Sequence, residues 1–520
     1  MSEPYLDAVK RALPRLLGMF DADPTSASYG CGDRYRWAWK LIDFGNGTYQ
    51  GAAHGLARLW AAGRWPYPTP EAAFLARIDA IFEGARRLTR GDGSLEEAFP
   101  HEGSFCVTAL VAFDLLAAAE LLDARLEDAQ RTRWRAIVEP MIGFLMKADE
   151  THAFISNHLA TAVAALARWG ASTAAHDAEQ RACFFLRRIL DAQSPEGWFP
   201  EYGGFDAGYQ SLCIVFLADV HRRRPDWALG EPLARSIRFL WQFANPDGSF
   251  GGLYGSRSTR FYFPAGVEAL VDEMPEAAAL AERMARSVAD RQVVGLDSID
   301  DPNLVPMFNA YCWADALRQA RPPAMQRPPT LPAEDGRPMR IHHPEAGIWI
   351  DAGPRHRTIV STHKGGVVSH FVDGRQAVVE GGVVVRGPGS RLGSTQGFDR
   401  GNEARVEGNE LCVESRVRPM AKRLPSPAQF LLLRVLCATV FNVRAWRELA
   451  KRALVRMLIT RDDSWPLRNR RRIRFGEDLA IVDETTQARG YERLDRIGAF
   501  VAIHMASQGY WQVQDEGSRP

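Results

Sequence analysis

The chain has 520 residues, of which 46% are hydrophobic, 10% aromatic and 24% charged. This is the composition of a folded globular protein, so it excludes collagen, a coiled coil and wholesale disorder. The 64 basic and 63 acidic residues leave a net charge of +1. We therefore expect no nucleic-acid partner, and a polyanion would need a local basic patch. The length predicts two domains or one large repetitive domain.

The cysteines and the amino terminus indicate in which cellular compartment the protein is located. Seven cysteines are scattered along the chain without a Cys-x-x-Cys pair, which is typical of free thiols in a reducing environment. The first residues, MSEPYLDAVKRALPRLLGMF, carry charges within the apolar stretch and no cleavage site, so we expect no signal peptide. No uninterrupted apolar run reaches the roughly 18 residues of a membrane span. These features predict a soluble, cytoplasmic protein.

Residues 1–321 show apolar residues at helical spacing, as in VTALVAFDLLAAAELL (107–122) and HLATAVAALARW (158–169). Gly-containing loops recur about 40 to 65 residues apart, a spacing that two helices fill. A helical hairpin cannot bury its apolar stripe alone, but hairpins that close into a ring can. The pattern therefore predicts an (α/α) toroid over residues 1–321, with the loops forming a polar, aromatic rim that suits sugars.

A Pro-rich linker, residues 322–338, separates this half from a segment with a different residue pattern. Residues 339–520 contain short β-rich runs such as GIWIDAG (347–353) and ELCVESRV (410–417), with Gly and Asp-Gly between them. Such runs are typical of an antiparallel β-sandwich or barrel. The predicted fold class is thus an α+β multidomain protein, a helical toroid followed by a β-sandwich.

One basic segment interrupts the β-rich half. Between Arg444 and Arg474 there are 11 basic residues against three acidic ones. We predict a basic helical insertion at about 427–475. Residues 430–475 could lie on an anionic membrane surface or bind a polyanionic glycan. The alternative is an insertion that packs on the sandwich and leaves a solvated face.

Two groups in the helical half are candidates for chemistry. Asn157 and His158 open a periodic helix, where they are either capping residues or a carboxylate ligand and a proton carrier. Tyr209 lies in the rim loop before another helix, where it either packs or serves as an acid or base. Nearby basic residues would favour its phenolate. The substrate-binding candidates on the rim are Tyr202, Arg257 and Arg260.

Two further groups are open to more than one interpretation. His363 and His370 lie in STHKGGVVSHF (361–371), where Gly365-Gly366 allows a turn or bulge. No third ligand follows at a convincing spacing, so we expect no metal. Glu201 and Asp206 could be the two carboxyl groups of a glycosidase.

Taken in order, these residues resemble the heparinase II/III-like polysaccharide lyases and the related uronate epimerases. The shared pattern is an Asn-His pair, a Tyr 51 residues after the His, a Pro-rich linker and a His 154 residues after that Tyr. The resemblance implies that Asn157 neutralises a uronate carboxylate and that Tyr209 and His158 exchange protons. It also implies that His363, or alternatively His370, completes the site. The partner would be an acidic oligo- or polysaccharide, and no cofactor is implied.

The implied reaction begins with removal of the proton beside the sugar carboxylate. Neutralising that carboxylate stabilises the anion that forms, and a positioned side chain takes the proton. Loss of the O4 substituent then gives β-elimination, whereas return of a proton to the other face gives C5 epimerisation. The sequence does not choose between a lyase and an intracellular epimerase or glycan-tailoring enzyme of polysaccharide biosynthesis.

Two alternative interpretations do not involve this reaction. One is a non-catalytic glycan-binding protein that keeps the fold alone. The other is a terpenoid-cyclase-like toroid, which is disfavoured because the sequence has no Asp-rich initiating motif and such a protein would not need the β-rich half.

Overall fold

A computed structural model describes residues 3–150, 153–321, 328–420, 426–455 and 464–494. The chain is helical up to Ala320, and its first strand begins at Met339. The second part contains three antiparallel sheets and two further helices. The predicted order, a helical half followed by a β-rich half, is therefore confirmed.

The helices described in the first part include those that carry the predicted apolar stripes. They are α1 (Pro4–Leu17), α2 (Arg34–Trp37), α3 (Ala52–Ala61), α4 (Glu71–Leu88), α5 (Phe105–Leu122), α6 (Asp128–Lys147), α7 (Ser156–Thr173), α8 (His176–Asp191), α9 (Ala207–Arg223), α10 (Gly230–Leu240), α11 (Ala265–Ala269), α12 (Pro275–Ala289) and α13 (Asp301–Ala320).

Contacts among these helices form a closed cycle. Helix α3 contacts α5, and the chain of contacts continues through α7, α9 and α11 to α13, which returns to α3. Neighbouring helices cover the cycle from outside, for example α6 on α5 and α8 on α7. Helices α5 and α7 are buried over most of their surface, whereas α8 buries a single stripe. A helix that is apolar all round must be covered on every side, and the cycle provides that cover.

Helix α5 illustrates why apolarity alone does not make a membrane span. The stretch Phe105–Arg125 is long and apolar enough to cross a bilayer, but 72% of it is buried inside the protein. Its neighbours are α3, α6 and α7. It is therefore a core helix of the cycle.

The strands of the second part form three antiparallel sheets. The first has the order β1 (Met339–His343), β2 (Ile348–Ala352), β3 (His356–Ser361), β4 (Val367–Val372) and β5 (Arg375–Glu380). The second has the order β10 (Arg418–Pro419), β7 (Leu392–Ser394), β6 (Val384–Arg386) and β13 (Glu492–Leu494). The third has the order β12 (Ala480–Thr485), β11 (Arg468–Arg474), β9 (Glu410–Arg416) and β8 (Glu403–Glu407).

An apolar cluster joins the first and third sheets. Val360 and Val368 come from β3 and β4, and Leu411, Val413 and Ile473 come from β9 and β11. Alternation along these strands turns every second side chain toward the cluster. The β-rich texture predicted from the sequence therefore corresponds to sheets that share a core.

The basic segment differs from its prediction. It forms two short helices, α14 (Pro427–Ala438) and α15 (Arg444–Val455), followed by strand β11. The predicted insertion at about 427–475 was therefore too long, since Arg468–Arg474 is a central strand of the third sheet. The run RNRRRIR alternates, so Arg471 points inward while Arg472 faces partly outward. Residues 456–463 lie outside the described residues.

The two parts contact each other directly. Beyond residue 327, the linker packs back on the helices, with Leu331 buried and Glu334 paired with Arg283. Arg357 on β3 donates to the carbonyl oxygen of Gln242 at 2.8 Å. The backbone N–H of Glu345 donates to Glu196 at 2.8 Å. The β-rich part is thereby held against the loops of the helical part.

The buried ion pair on β11 generates a stability prediction. Arg471 donates to both carboxylate oxygens of Asp483, at 2.8 and 2.9 Å, and both side chains are fully buried. We expect Arg471→Met to lower the free energy of unfolding by about 3–5 kcal/mol, because it leaves a buried carboxylate without its counter-ion. Urea denaturation measures this change.

Arg472 is the matched control on the same strand. Its guanidinium is 42% exposed and pairs with Glu484, which is 56% exposed. Exposed pairs contribute roughly 0–1 kcal/mol, so Arg472→Met should change the free energy of unfolding little. Equal losses from the two variants would contradict the interpretation of Arg471.

Candidate functional site

The candidate site lies where the loops before α7 and α9 run side by side. Ile155 and Glu201 form an isolated antiparallel bridge. The Ser156 hydroxyl donates to the Pro200 carbonyl oxygen at 2.7 Å. These contacts bring the Asn157-His158 pair next to the rim loop that contains Glu201 and Tyr202.

Asn157 and Glu201 form a buried pair. The Asn157 amide Nδ2 donates to Glu201 Oε2 at 2.7 Å, and both side chains are buried. Burial raises the pKa of the Glu201 carboxyl to about 7, although His158, Arg257 and the Asn157 bond all favour its ionised form. One amide hydrogen of Asn157 is thus used within the protein, and Glu201 titrates near neutral pH.

His158 is held by an acid and a thiol. Its Nδ1 donates to Glu150 Oε2 at 2.7 Å, and its ring hydrogen-bonds the thiol of Cys106 in the first turn of α5. Burial opposes protonation of the imidazole, but Cys106 and Glu150 outweigh it and raise the pKa of His158 well above its ordinary value. These two groups therefore favour the protonated form of His158.

The turn at Tyr202 presents that side chain to the cluster. Glu201 and Gly204 exchange backbone hydrogen bonds across Tyr202-Gly203, and both intervening residues have positive φ, 53° and 84°. Two such residues between paired ends are typical of a type I′ turn. Burial raises the pKa of the Tyr202 phenol even though His158 and Arg257 lower it. Tyr202 therefore stays a hydrogen-bond donor.

Arg257 lies between two phenol rings. Its guanidinium carbon is 4.6 Å from the ring centre of Tyr202 and 5.8 Å from that of Tyr209. Burial disfavours its charge, but Tyr209, Tyr202 and Glu201 raise the pKa of Arg257 and keep it protonated. Arg260, predicted to act with it, instead interacts with Tyr254 and Asp247.

Asp206 organises this region rather than forming a glycosidase pair with Glu201. One oxygen caps α9 by accepting from the Tyr209 N–H at 3.2 Å, and the other accepts from the Arg257 N–H at 3.0 Å. Thr259 adds a hydroxyl donor at 2.5 Å. Because both oxygens are occupied by groups of the protein, the proposed Glu201/Asp206 dyad is not supported.

His363 approaches from the β-rich part. It lies in the turn between β3 and β4, and its ring packs edge-on against Phe398 at 5.5 Å. Phe398 in turn lies over Gly204, where an added Cβ would meet its ring at 2.7 Å. Burial and Arg400 lower the pKa of His363. Its Nδ1 has no hydrogen-bond partner among the described residues.

His370 is not part of this arrangement. It lies within β4, where Nδ1 bonds the Thr358 hydroxyl at 2.8 Å and Nε2 contacts the Glu477 carbonyl oxygen at 3.2 Å. Thr358 belongs to β3, and Glu477 lies in the loop between β11 and β12, so both partners come from the β-rich part. Of the two histidines, His363 is therefore the one that reaches the helical rim.

Lys364 joins the two parts beside His363. Its Nζ donates to the carbonyl oxygens of Leu253 and Gly255, at 2.5 and 2.9 Å, and contacts the Ser258 hydroxyl at 2.6 Å. Burial lowers the pKa of Lys364 to about 7. The loop that Lys364 holds is the one that carries Arg257.

The sequence pattern did not reveal Glu150 and Cys106. Glu150 precedes His158 by eight residues across a loop, and Cys106 is distant in sequence, so no helical or strand spacing connects them. The described residues contain no group of three or more His, Cys, Asp or Glu arranged to hold a metal ion.

The fold is similar to that of solved polysaccharide lyases. No protein-family model and no curated protein matches the chain. A chondroitin AC lyase from Streptomyces coelicolor A3, in complex with chondroitin sulphate, matches with a TM-score of 0.55 and 11% identity. The match covers 92% of this chain and 66% of that one. A Paenibacillus xanthan lyase has a TM-score of 0.47 and 10% identity, covering 80% and 45% of the two chains.

These comparisons define the class of fold. The chain has a fold similar to that of the chondroitin AC lyase, and it spans 66% of that protein's length. They do not single out the heparinase II/III-like group that the motif order resembles. At 11% identity the likeness concerns the fold alone.

The buried Glu201 carboxyl generates a pH prediction. Its folded pKa is raised from 4.5 to about 7, so the folded state binds more protons than the unfolded state between these values. The contribution of Glu201 to the free energy of unfolding therefore falls as the pH rises from 4.5 to about 7. We expect Glu201→Gln, which keeps an acceptor for Asn157, to be more stable than the wild type at pH 8 by on the order of 1–3 kcal/mol.

The comparison is made by urea denaturation at pH 5 and pH 8. The advantage of the variant should be small at pH 5, where the wild-type carboxyl is largely protonated. A difference between variant and wild type that is the same at both values would show that Glu201 does not titrate in this range.

Proposed function

We propose that the chain is a polysaccharide lyase-like enzyme that cleaves a uronic-acid-containing glycan by β-elimination. In this proposal residues 1–321 form an (α/α) toroid, 322–338 link it to the second domain, and 339–520 contain a β-sandwich. The closed cycle of helices and the shared core of two sheets support that architecture. The observation that supports this function is that five candidate side chains lie together on one rim. They are Asn157, His158, Tyr202, Tyr209 and Arg257.

The two cations would hold the sugar carboxylate. His158 is protonated through Glu150 and Cys106, and Arg257 keeps its charge between the phenol rings. Asn157 has a second amide hydrogen besides the one given to Glu201. Placed at the carboxylate, these donors would stabilise the negative charge that develops when the adjacent proton leaves.

Tyr209 is the base in this scheme. His158 already carries its proton at neutral pH, so it suits an acid or an anion ligand better than a base. Arg257, 5.8 Å from the Tyr209 ring, would stabilise negative charge on the phenol oxygen. The proton taken from the sugar can then pass from Tyr209 to the departing O4 oxygen. Neutral His363 and protonated Tyr202 are the other donors near the cluster.

The compartment remains a proposal as well. All seven cysteines are free thiols, as expected for a reducing environment. We propose on this basis that the enzyme is cytoplasmic.

The mechanism is tested on uronate oligosaccharides with His158→Ala and Tyr209→Phe. Each variant should lower kcat by about 10²–10⁴-fold, the range for losing a positioned acid or base. The readout is the ultraviolet absorbance of the unsaturated uronosyl product. His221→Ala is the matched control, since His221 pairs with Glu273 at the other end of α9.

Three outcomes separate the candidate functions. Unsaturated product from the wild type, lost in both variants, supports the lyase. Solvent deuterium that enters the sugar without chain cleavage would instead identify the epimerase. Oligosaccharide binding with neither reaction would identify a glycan-binding protein, and full turnover by both variants would refute the site.

A further inference from the structure

Helices α14 and α15 expose a large apolar surface. Among the described residues, half of the exposed large apolar side chains lie in the 20 positions from 430 to 449. They are Phe430 (52% exposed), Leu431 (68%), Leu432 (59%), Val435 (52%), Val440 (39%), Val443 (54%), Trp446 (55%) and Leu449 (56%). Folded proteins rarely leave so many neighbouring apolar side chains in water unless the surface binds something.

The end of α2 and the loop that follows it extend this surface. Residues 35–44 expose Tyr35 (51%), Trp39 (63%) and Leu41 (83%). Arg434 of α14 joins this loop through an ion pair with Asp43 at 2.6 Å. We refer to α14, α15 and residues 35–44 together as the apolar platform.

The platform borders the candidate site. Arg447 of α15 is turned inward and pairs with Asp92 at 3.1 Å. Asp92 belongs to the loop that ends at Ser104, the cap of α5. Cys106, in the first turn of that helix, bonds His158. A single loop therefore connects the platform to the catalytic cluster.

The composition of the platform matches a membrane surface. The sequence of helix α15, RAWRELAKRALV, has four basic residues and one acidic residue. Arg447 is turned inward, which leaves three basic residues beside the exposed Trp446 and Leu449. Basic residues combined with Trp and Leu are typical of helices that lie in the interface of an anionic bilayer. Helix α14 has 12 residues, about 18 Å at 1.5 Å per residue, which is too short to span a core of about 30 Å.

We propose that the apolar platform docks on the surface of an anionic lipid bilayer and holds the candidate site beside it. The site would then act on an acidic glycan carried by the membrane, a step that rests on the proposed function. The docking itself does not depend on that function. The sequence left open whether residues 430–475 contact a membrane, bind a polyanionic glycan or pack on the sheets. The proposed docking surface consists of α14, α15 and residues 35–44.

Docking is tested with the full chain and lipid vesicles. The protein should sediment with phosphatidylcholine vesicles that contain phosphatidylglycerol, and less with phosphatidylcholine alone or in high salt. Leu431→Gln, Leu432→Gln and Trp446→Gln in one variant should weaken binding by at least about tenfold, because the apolar contact is lost. Gln keeps helix propensity, so the melting temperature should stay close to that of the wild type.

The matched control replaces exposed apolar residues elsewhere. Val406→Thr with Val482→Thr alters strands β8 and β12, where both valines are exposed, and should leave vesicle binding unchanged. Equal binding to both kinds of vesicle, or equal loss in control and triple variant, would overturn the proposal. So would a wild-type dimer that the triple variant converts to a monomer without weakening vesicle binding.

Substrate presentation is tested separately. On a uronate glycan coupled to a lipid in anionic vesicles, the wild type should act faster than the triple variant, while both act equally on the free oligosaccharide. Equal rates on both substrates would refute presentation at the membrane. Vesicle binding without turnover of any uronate substrate would refute the proposed function and leave docking supported.

Discussion

Burial of helices α5 and α7, most of whose residues are buried, is the constraint from which the helical part follows. Helices α5 and α7 have almost no polar side to offer to water, so each must be surrounded by other helices. The closed cycle from α3 to α13 achieves this. The loops that precede α7 and α9 meet through the bridge between Ile155 and Glu201, and Cys106 in the first turn of α5 interacts with His158. The candidate site consists of the first turns of these helices and the loops beside them.

The pairing of charges within this site determines which side chains are available to a ligand. Three buried acids, Glu150, Glu201 and Asp206, each have a different partner: an imidazole, an amide and a set of backbone and hydroxyl donors. Each of the three acids is therefore occupied by a partner within the protein. His158 and Arg257 lie near the phenol of Tyr202, and the proposal of an anionic ligand rests on these two groups.

The β-rich part contributes by holding the rim in place. Lys364 enters from a turn between strands and bonds three oxygens of the loop around Arg257. His363, next to it in the chain, reaches the rim through Phe398 and Gly204. The same short turn therefore docks the two parts and supplies a neutral imidazole. The turn that holds the two parts together is therefore also the turn that carries His363.

The sequence by itself determined the elements and their order. Periodicity of 3.6 and of 2 residues is a local property, so the helices, the strands and the start of β1 after a Pro-rich linker were predictable. Asn157, His158, Tyr209 and Arg257 were also recognisable, since each lies on a rim loop or in the first turn of a helix. The basic run 468–474 was misassigned because its charges concealed a strand alternation that only the sheet core explains.

The interaction partners of the site residues could be determined only from the tertiary structure. Glu150 and Cys106 reach His158 across loops without periodic spacing, and Asp206 became a cap because Thr259 and Arg257 fold onto it. The choice between His363 and His370 likewise depended on which one lies in a turn facing the helices. Such contacts arise from long-range packing and burial, which shift proton affinities and orient side chains in ways that residue spacing along a chain does not encode.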